Sequence, residues 1–588
     1  MCGIIGLLKL NPSESAIKDV VAGLKRLEYR GYDSWGYAVL DNQGIKLEKK
    51  IGRISKPGLS GEAAVLIGHT RWATHGGVTD DNAHPHTDCK STIAIVHNGI
   101  IENYLELKEQ LIREGHVIKS QTDTEVVAHL FEKAKGDLME KAKQVASGLR
   151  GTFALVVMDS NNHDELVAIK NESPLVIGIA DDEVIFASDP LAFIDKTNKA
   201  IFLTEGDIAV AKKSSNSIKF EFFNYLAGKQ VNKESVQLDW ETQNVDTGKY
   251  AHYMLKEIME QPDVMKKLDI GAAEQLAGRM RGKKVVAIAC GTARHAAVVG
   301  KHILHKLSKF PLEVMMAHEF VYFIEDVDSG TVLLAVSQSG ETADVLDCVR
   351  KAKKRGMLVI SIVNVPSSTL ARESESVFYT NCGPEIAVAS TKAFMNQVLA
   401  FYMLAFALGD KEKAKGIGPI ISLLEKNMPY FDLKAREIAE YLKSKKDIYL
   451  LGKGVNFPIA LEGALKLKEI TYLHAEGMPA GELKHGTLAL IESGIPVILL
   501  SPTDYTYHET ISNGLETKAR GAYLIGISDK PHPSFNIWLQ LPFLDKDNEI
   551  FYPMLETIPL QLIAYHTALL LGRDIDKPRN LAKSLTVK

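Results

Sequence analysis

GTVLLAVSQSGETADVLDCVRKAKKRG, residues 330–356, is an apolar run closed by small polar residues and followed at once by an amphipathic helical stretch. A strand that is apolar throughout, without alternation, is buried on both faces, as in parallel sheets covered by helices. KKVVAIACGT (283–292) reads the same way, and long helical stretches separate such runs after residue 250. This half is therefore an α/β parallel-sheet region. It also contains itself twice. VVAIACG (285–291) is similar to IYLLGKG (448–454), and KRGMLVISI (354–362) to ARGAYLIGI (519–527), at separations of 163 and 165 residues. A nearly constant offset points to two copies of one unit. The copies differ where the strand gives way to the helix: SQSGET (337–342) in the first, SPTDYT (501–506) in the second.

SQSGET sits where ligands bind in open parallel sheets, at the carboxyl end of a strand and the amino end of a helix. The hydroxyls of Ser337, Ser339 and Thr342 and the amide of Gln338 are donors for an anion such as a phosphate. The plainer reading is a helix N-cap with a polar turn. Four donors around one glycine exceed what capping needs, and the missing GKS/T argues against a nucleotide P-loop. A second cluster is ALEGALKLKEITYLHAEGMPAGELKHG (460–486). Read as a helix it puts Glu462, Lys466 and Glu469 on one face, ahead of a glycine-rich turn and His485. Either this is a solvated salt-bridge stripe, or a carboxylate, an ammonium and an imidazole serve proton transfer beside a carbonyl.

The first 240 residues have another character. Short runs such as STIAIVHNG (91–99), GTFALVVMD (151–159) and IAVAKK (208–213) are bounded by turn residues, with helical stretches at 13–29 and 123–147. That is an α+β pattern with many strands. The chain opens MCGIIGLL. Cys2 is either a small buried residue at the start of a strand, or, once Met1 is removed, a thiol whose own α-amine serves as its base. A cysteine attacking an amide needs an oxyanion hole, for which Asn98 and Gly99 offer a side-chain and a backbone donor, unless the pair is merely a hairpin turn. An α-amino-acid substrate needs a cation and an anion, and Arg71 and Asp123 are available. The histidines at 69, 75, 84 and 86 lack a carboxylate or cysteine at recurring spacing, so no metal site is expected.

The chain has 588 residues, 46% hydrophobic and 24% charged, with a net charge of −4, which fits several globular domains and gives no basic excess for nucleic acid or an anionic membrane. Five scattered cysteines without a CxxC pair argue against a disulfide framework. Without an apolar run of membrane-spanning length or a secretory leader, the expected location is cytoplasmic.

MCGIIG, RGYDS, GHTRWATHG, HNGIIENY and TDTE together resemble the class II glutamine amidotransferase domain of the N-terminal nucleophile hydrolases. CGT, SQSGET, EIAVASTKAF, ALEGALKLKE, ELKHG and PRNLAKSLTVK resemble the paired sugar isomerase domains of the glutamine-fructose-6-phosphate aminotransferase family. The likeness covers essentially the whole chain, in order. It implies an amidotransferase domain over 2–238, a linker over 239–250, sugar isomerase domains over 251–428 and 429–572, and a tail over 573–588 folded on the sugar site. It also implies the conversion of fructose 6-phosphate and glutamine to glucosamine 6-phosphate and glutamate, the first step of amino-sugar biosynthesis, without metal or organic cofactor.

By position, the resemblance makes Cys2 the nucleophile, Asn98 and Gly99 the oxyanion hole, and Arg71, Thr74, His75 and Asp123 the glutamine site. Trp72 would gate an internal ammonia channel. Thr292, Ser337, Gln338, Ser339 and Thr342 would hold the sugar phosphate, with Val388 and Ser390 lining the sugar site. Lys583 would form a Schiff base with the ketone, Glu469 would move the proton between C1 and C2 with Lys466 assisting, and His485 would open the ring from a neighbouring subunit, making a homodimer the working unit. Three positions depart from the family pattern: Ala293 stands where a serine is usual, and Trp35 and Tyr37 are bulkier than expected. Two rivals fare worse. Other glutamine-dependent amidotransferases would need an SGGxDS or an acidic diphosphate loop, and neither is found. A non-catalytic sugar-phosphate sensor would leave Cys2, Glu469, His485 and Lys583 unexplained together.

Overall fold

The computed structural model describes residues 2–238 and 246–584. Met1, most of the expected linker (239–245) and the last four residues of the expected tail (585–588) lie outside the described residues. The chain divides into two compact units, one through residue 244 and one from 245 to 583.

The first unit is built on two antiparallel sheets of eight and seven strands. Alternate residues of each strand face opposite ways, so each sheet buries one face against the other sheet and one against helices. Ile4, Leu8, Ala154 and Val156 belong to the core between the sheets. The sheets approach closely: a Cβ added to Gly6 would lie 2.8 Å from Val156. Ala16, Val20, Leu24 and Leu27 of the helix Ala16–Leu27 cover one outer face. Burying such a leucine or valine contributes about 1.5–3 kcal/mol. The other outer face is covered by two helices, Glu125–Lys133 and Leu138–Gly148. The single helical stretch expected over 123–147 is thus broken. Gly136 takes a left-handed φ of 105°, and Asp137 and Glu140 form a reciprocal capping box that starts a new helix.

Trp35 and Tyr37, on the strand Ser34–Asp41, are fully buried with Ile54 and Leu59 on the Ala16–Leu27 side of their sheet. The extra aromatic bulk is absorbed by the 54–59 segment, whose Leu59 N–H donates to the Tyr37 hydroxyl at 3.1 Å.

The second unit contains two five-stranded parallel sheets with one topology. In chain order each runs 2-1-3-4-5, so the repeat read from sequence is a structural repeat. In this order the connections leave the first and third strands in opposite directions and open a crevice between their carboxyl ends. The copies share one hydrophobic core running from Met254 to Ile575. The helix Lys392–Leu408 is apolar all round and buried along nearly its whole length, as a central helix must be. Residues 428 and 429, the expected junction of the two copies, fall inside one continuous helix, Ile417–Leu442. No described helix is long and apolar enough to cross a membrane.

Candidate active sites

Cys2 directly precedes the strand Gly3–Ser13, at its edge nearest the strand Ala63–Arg71, where Gly3 pairs with Thr70. Its backbone is held from two sides: the Cys2 carbonyl accepts from Asn98 Nδ2 at 3.0 Å and from Arg30 Nε at 3.2 Å. The Trp72 N–H donates to Cys2 Sγ at 3.3 Å. Burial pushes the thiol pKa up, while the Trp72 N–H and the Arg71 cation act in the thiolate's favour.

Asn98 and Gly99 form neither a hairpin turn nor the residues after a strand. They lie inside the strand Ile93–Ile101, with Gly99 opposite Phe153. The Asn98 amide is fixed by its neighbours: Nδ2 also donates to Ser188 Oγ at 3.0 Å, and Oδ1 is 3.2 Å from His69 Nε2. Burial pushes His69 down to about 3, so its ring is neutral. Because Nε2 faces two carbonyl-type oxygens, Asn98 Oδ1 and His97 O at 2.8 Å, it carries the proton. His69 and Ser188 therefore set which end of the amide faces Cys2, a positioning role that no sequence spacing signalled.

Gly99 takes a φ of 129°, and a Cβ there would lie 1.9 Å from the Thr152 carbonyl oxygen. Gly99→Ala is expected to cost about 3 kcal/mol or more, because both the backbone and the neighbouring strand forbid it. Thermal unfolding checks this, and an unchanged melting temperature would refute it.

Arg71 is buried and donates to the carbonyls of His75 at 2.5 Å, Gly76 at 3.2 Å and Gly77 at 3.1 Å, so it shapes the loop that carries Thr74 and His75. Thr74 is exposed, and the His75 ring meets Tyr104 edge-on at 5.4 Å. Asp123 is buried and accepts from the Ile101 N–H at 2.8 Å, which ties it to the end of the Asn98 strand. The structure thus gathers Cys2, Trp72, Asn98, Arg71 and Asp123 on adjoining strand ends and loops.

In the second unit, SQSGET begins at the end of the strand Val332–Ser337 and leads into the helix Ala343–Lys354. Gly340 turns with a φ of 69°, and its N–H donates to Ser337 Oγ at 3.0 Å. Ser337 Oγ is also 3.0 Å from Thr342 Oγ1, and Ser339 Oγ accepts from the Glu341 N–H at 3.2 Å. Thr342 is the N-cap residue, yet its side chain does not cap the helix. The turn is therefore a ring of hydroxyls at a helix amino terminus rather than a simple cap. In the second copy the equivalent loop carries one carboxylate, Asp504, and meets another, Asp529, from the end of the next strand, Tyr523–Ser528. Asp504 accepts from Thr506 and Asn456, and Asp529 accepts from Thr503. Carboxylates there disfavour an anion, a contrast with the hydroxyl-lined turn of the first copy.

Glu462, Lys466 and Glu469 lie on one face of the helix Phe457–Thr471; Glu462 and Lys466 are buried and Glu469 is half-buried, so the stripe is not a solvated one. Lys466 Nζ is 3.2 Å from Glu462 Oε1 and 2.7 Å from Glu469 Oε2. Burial works against its charge, but the two carboxylates hold the Lys466 pKa above the ordinary lysine value. From the first copy, Thr292 Oγ1 accepts from Lys466 Nζ at 3.1 Å and donates to Glu462 Oε1 at 3.0 Å, while His295 Nδ1 is 2.7 Å from Glu462 Oε2. Thr292 is thus held by the Lys466 cluster rather than by the SQSGET hydroxyls. Ala293, one residue on, packs against the shared core. His485 ends the 3₁₀ turn Glu482–His485, exposed, and makes no hydrogen bond to the described residues of this cluster.

The described part of the tail, through Ser584, is folded back and anchored. The Asp576 carboxylate accepts from the Tyr253 and Met254 N–H groups at 3.0 and 2.9 Å, and the Asp576 carbonyl accepts from the Val388 N–H at 2.9 Å. These contacts bring Lys583 to the 385–390 loop, where its ammonium bonds the buried carboxylate of Glu385. Ser390 Oγ donates to the same carboxylate at 2.7 Å. Burial would raise Glu385, but Lys583 and the N–H groups of Ala393 and Thr391 carry it down to about 2. Neighbouring Glu257 is pushed up to about 8 by its own burial and by Glu385. Glu385 was not a candidate from sequence; a carboxylate two and four residues from apolar Ala387 and Ala389 carries no periodic signal.

The glutamine amidotransferase domain family matches residues 69–195, and the SIS domain family matches residues 281–407 and 441–571. The glutamine–fructose-6-phosphate aminotransferases (isomerizing) of Thermococcus kodakarensis and Pyrococcus horikoshii are 43% and 42% identical to this chain, over all of this chain and all of each relative. The solved C-terminal domain of glucosamine-fructose-6-phosphate aminotransferase from Francisella tularensis is 38% identical, covering 57% of this chain and 100% of that domain with a TM-score of 0.53. With an antiparallel two-sheet unit carrying Cys2, two copies of one parallel-sheet unit, and full-length relatives at this identity, the chain belongs to the glutamine–fructose-6-phosphate aminotransferase (isomerizing) family.

Proposed function

We propose that the chain converts fructose 6-phosphate and glutamine into glucosamine 6-phosphate and glutamate, with Cys2 releasing ammonia from glutamine and the isomerase unit consuming it. The observation that carries this reading is the buried Lys466 cluster, whose members come from both isomerase copies: Thr292 and His295 from one, Glu462, Lys466 and Glu469 from the other. Each copy alone lacks half of it, so the duplication has a catalytic use.

Phosphate binds the Ser337, Gln338, Ser339 and Thr342 turn. Lys583 attacks the ketone carbon C2 of the open-chain sugar and water leaves. Ammonia then adds to that iminium carbon and displaces Lys583 as the free amine, leaving a C2 imine that makes the C1–H acidic. Glu469 shuttles the proton between C1 and C2, Lys466 offsets the developing charge, and Thr292 orients Lys466. Val388 and Ser390 line the sugar site beside Lys583. His485, exposed on its turn, opens the ring in a second copy of the chain, and the working unit is a homodimer. In the amidotransferase unit, Arg71 and Asp123 take the carboxylate and ammonium of glutamine, with Thr74 and His75 on the loop around it. The nucleophile's base is its own α-amine, so Met1 is removed in the active form. Ammonia in bulk water is mostly ammonium and a poor nucleophile, hence a dry passage, gated by Trp72, keeps it reactive.

The test supplies glutamine labelled with ¹⁵N at the amide, fructose 6-phosphate and an excess of unlabelled ammonium, and weighs the amino sugar formed. Labelled glucosamine phosphate is the expected product. Its absence, with glutamate released, would sink the reading.

A further inference from the structure

Within the amidotransferase unit, four side chains that the chemistry above does not use converge from three segments. Cys89 follows the strand His86–Thr87, His116 follows the helix Tyr104–Arg113, and His129 and Glu132 are one turn apart on the helix Glu125–Lys133. Cys89 Sγ lies 3.8 Å from His116 Nδ1 and 3.6 Å from His129 Nδ1. Glu132 Oε2 lies 3.0 Å from His116 Nδ1 and 3.3 Å from His129 Nδ1. All four donor atoms fall within 4.8 Å of one another.

Those separations are close to the edges of a metal tetrahedron. With Zn–S of about 2.3 Å, Zn–N of about 2.05 Å and Zn–O of about 2.1 Å, tetrahedral angles give S–N edges of about 3.6 Å and N–O edges of about 3.4 Å. Read as hydrogen bonds alone, the cluster is overfull: both imidazoles would direct one ring N–H at the same carboxylate oxygen and the same sulfur. A cation at the centre replaces these competing contacts with four ligand bonds.

We propose that Cys89, His116, His129 and Glu132 form a structural zinc site in the amidotransferase unit. A thiolate, two imidazoles and a carboxylate are a borderline-soft set that suits Zn²⁺ rather than Mg²⁺ or Ca²⁺. Four protein ligands close the coordination sphere, which marks a structural rather than a catalytic centre. Outer groups also stand in place. The Val117 N–H donates to Cys89 Sγ at 3.5 Å. His129 Nε2 is 3.8 Å from Glu125 Oε1, and that carboxylate is itself fixed by the Lys119 N–H at 2.8 Å and the Ser120 N–H. A carboxylate behind a ligating histidine sets its ring and raises its basicity. His129 is fully buried while Cys89 is exposed, so the centre has both a rigid floor and an entry route.

The zinc pins the turn at 88–91 and the 116–117 segment to a helix whose leading residues reach the glutamine site. Thr124, at its N-cap, meets His84 Nε2 at 2.9 Å and His97 Nδ1 at 2.8 Å, and Asp123 precedes it.

The full-length protein, purified without chelators or a metal-affinity tag and incubated with zinc chloride before desalting, is analysed for metal. About one zinc per chain is expected. Cys89→Ser and His129→Ala, checked for fold by circular dichroism, should lose it, while Cys2→Ala should keep it. Cobalt loading of the wild type gives a readout that needs no variant to fold: a thiolate-to-cobalt charge-transfer band with intense tetrahedral bands. A wild type that retains no zinc, a cobalt spectrum without the thiolate band, or zinc content unchanged in Cys89→Ser would overturn the proposal.

Discussion

Cys2→Ala is expected to reduce glutamine hydrolysis to background, a loss of more than about 10⁴-fold, while fructose 6-phosphate binds as before. The argument rests on how the residue is held. Its carbonyl is gripped by Asn98 and Arg30, and the next residue begins the strand pairing of Gly3 with Thr70. These backbone anchors survive the substitution, so the variant loses its sulfur without losing its place. The Trp72 N–H loses an acceptor at 3.3 Å, a small cost for a group at a partly exposed site. Glutamate release measures the first half of the prediction and calorimetric titration with fructose 6-phosphate the second. Amino-sugar formation from a high concentration of ammonium should persist, because the isomerase unit is untouched. Glutamine hydrolysis at wild-type level would end the case for Cys2 as nucleophile.

Lys583→Arg is expected to lower amino-sugar formation by about 10³-fold or more, from either glutamine or ammonium. Borohydride treatment in the presence of fructose 6-phosphate should fix a sugar phosphate on the C-terminal peptide of the wild type and on no peptide of the variant. Arginine is chosen because Glu385, fully buried, depends on the cation for its charge. The guanidinium preserves that pairing but cannot be deprotonated to attack a ketone. Lys583→Met removes both functions. It leaves the buried Glu385 carboxylate beside Glu257 without its paired cation, and it should cost about 3–5 kcal/mol of stability in addition to activity. A trapped adduct that persists in Lys583→Arg would assign the Schiff base elsewhere.

The ion pair also says something about the resting enzyme. Paired with the buried Glu385 carboxylate, the Lys583 nitrogen is engaged rather than free to attack. Glu257, pushed up to about 8, stands close enough to influence both groups. In the reading proposed here, sugar binding must therefore release the Lys583 nitrogen from Glu385 before the lysine becomes nucleophilic.

Much of this was legible in the residues alone, wherever the signal is local and periodic. Unbroken apolar runs such as VVAIA and VLLAVS announce doubly covered strands, and their recurrence at a fixed offset announces two copies. The i, i+4, i+7 spacing of Glu462, Lys466 and Glu469 announces one helix face. What required the tertiary structure is everything set by contacts between distant segments. Whether that face was solvated or buried depended on Thr292 and His295, some 170 positions away. The Asn-Gly pair, which locally suits a turn, sits inside a strand because the Ile93–Ile101 ladder with Gly151–Asp159 outweighs its turn preference. Glu385 and His69 hold Lys583 and the Asn98 amide with no pattern of their own. Cys89, His116, His129 and Glu132 have no recurring spacing and meet only because two turns and a helix end in one place. Sequence by itself determined the strands, the repeat and the chemically capable residues, because these follow from local periodicity and side-chain type. Only the tertiary structure decided which of them share a site, because a dry, charged cluster is stabilised by partners that the chain brings together from far apart.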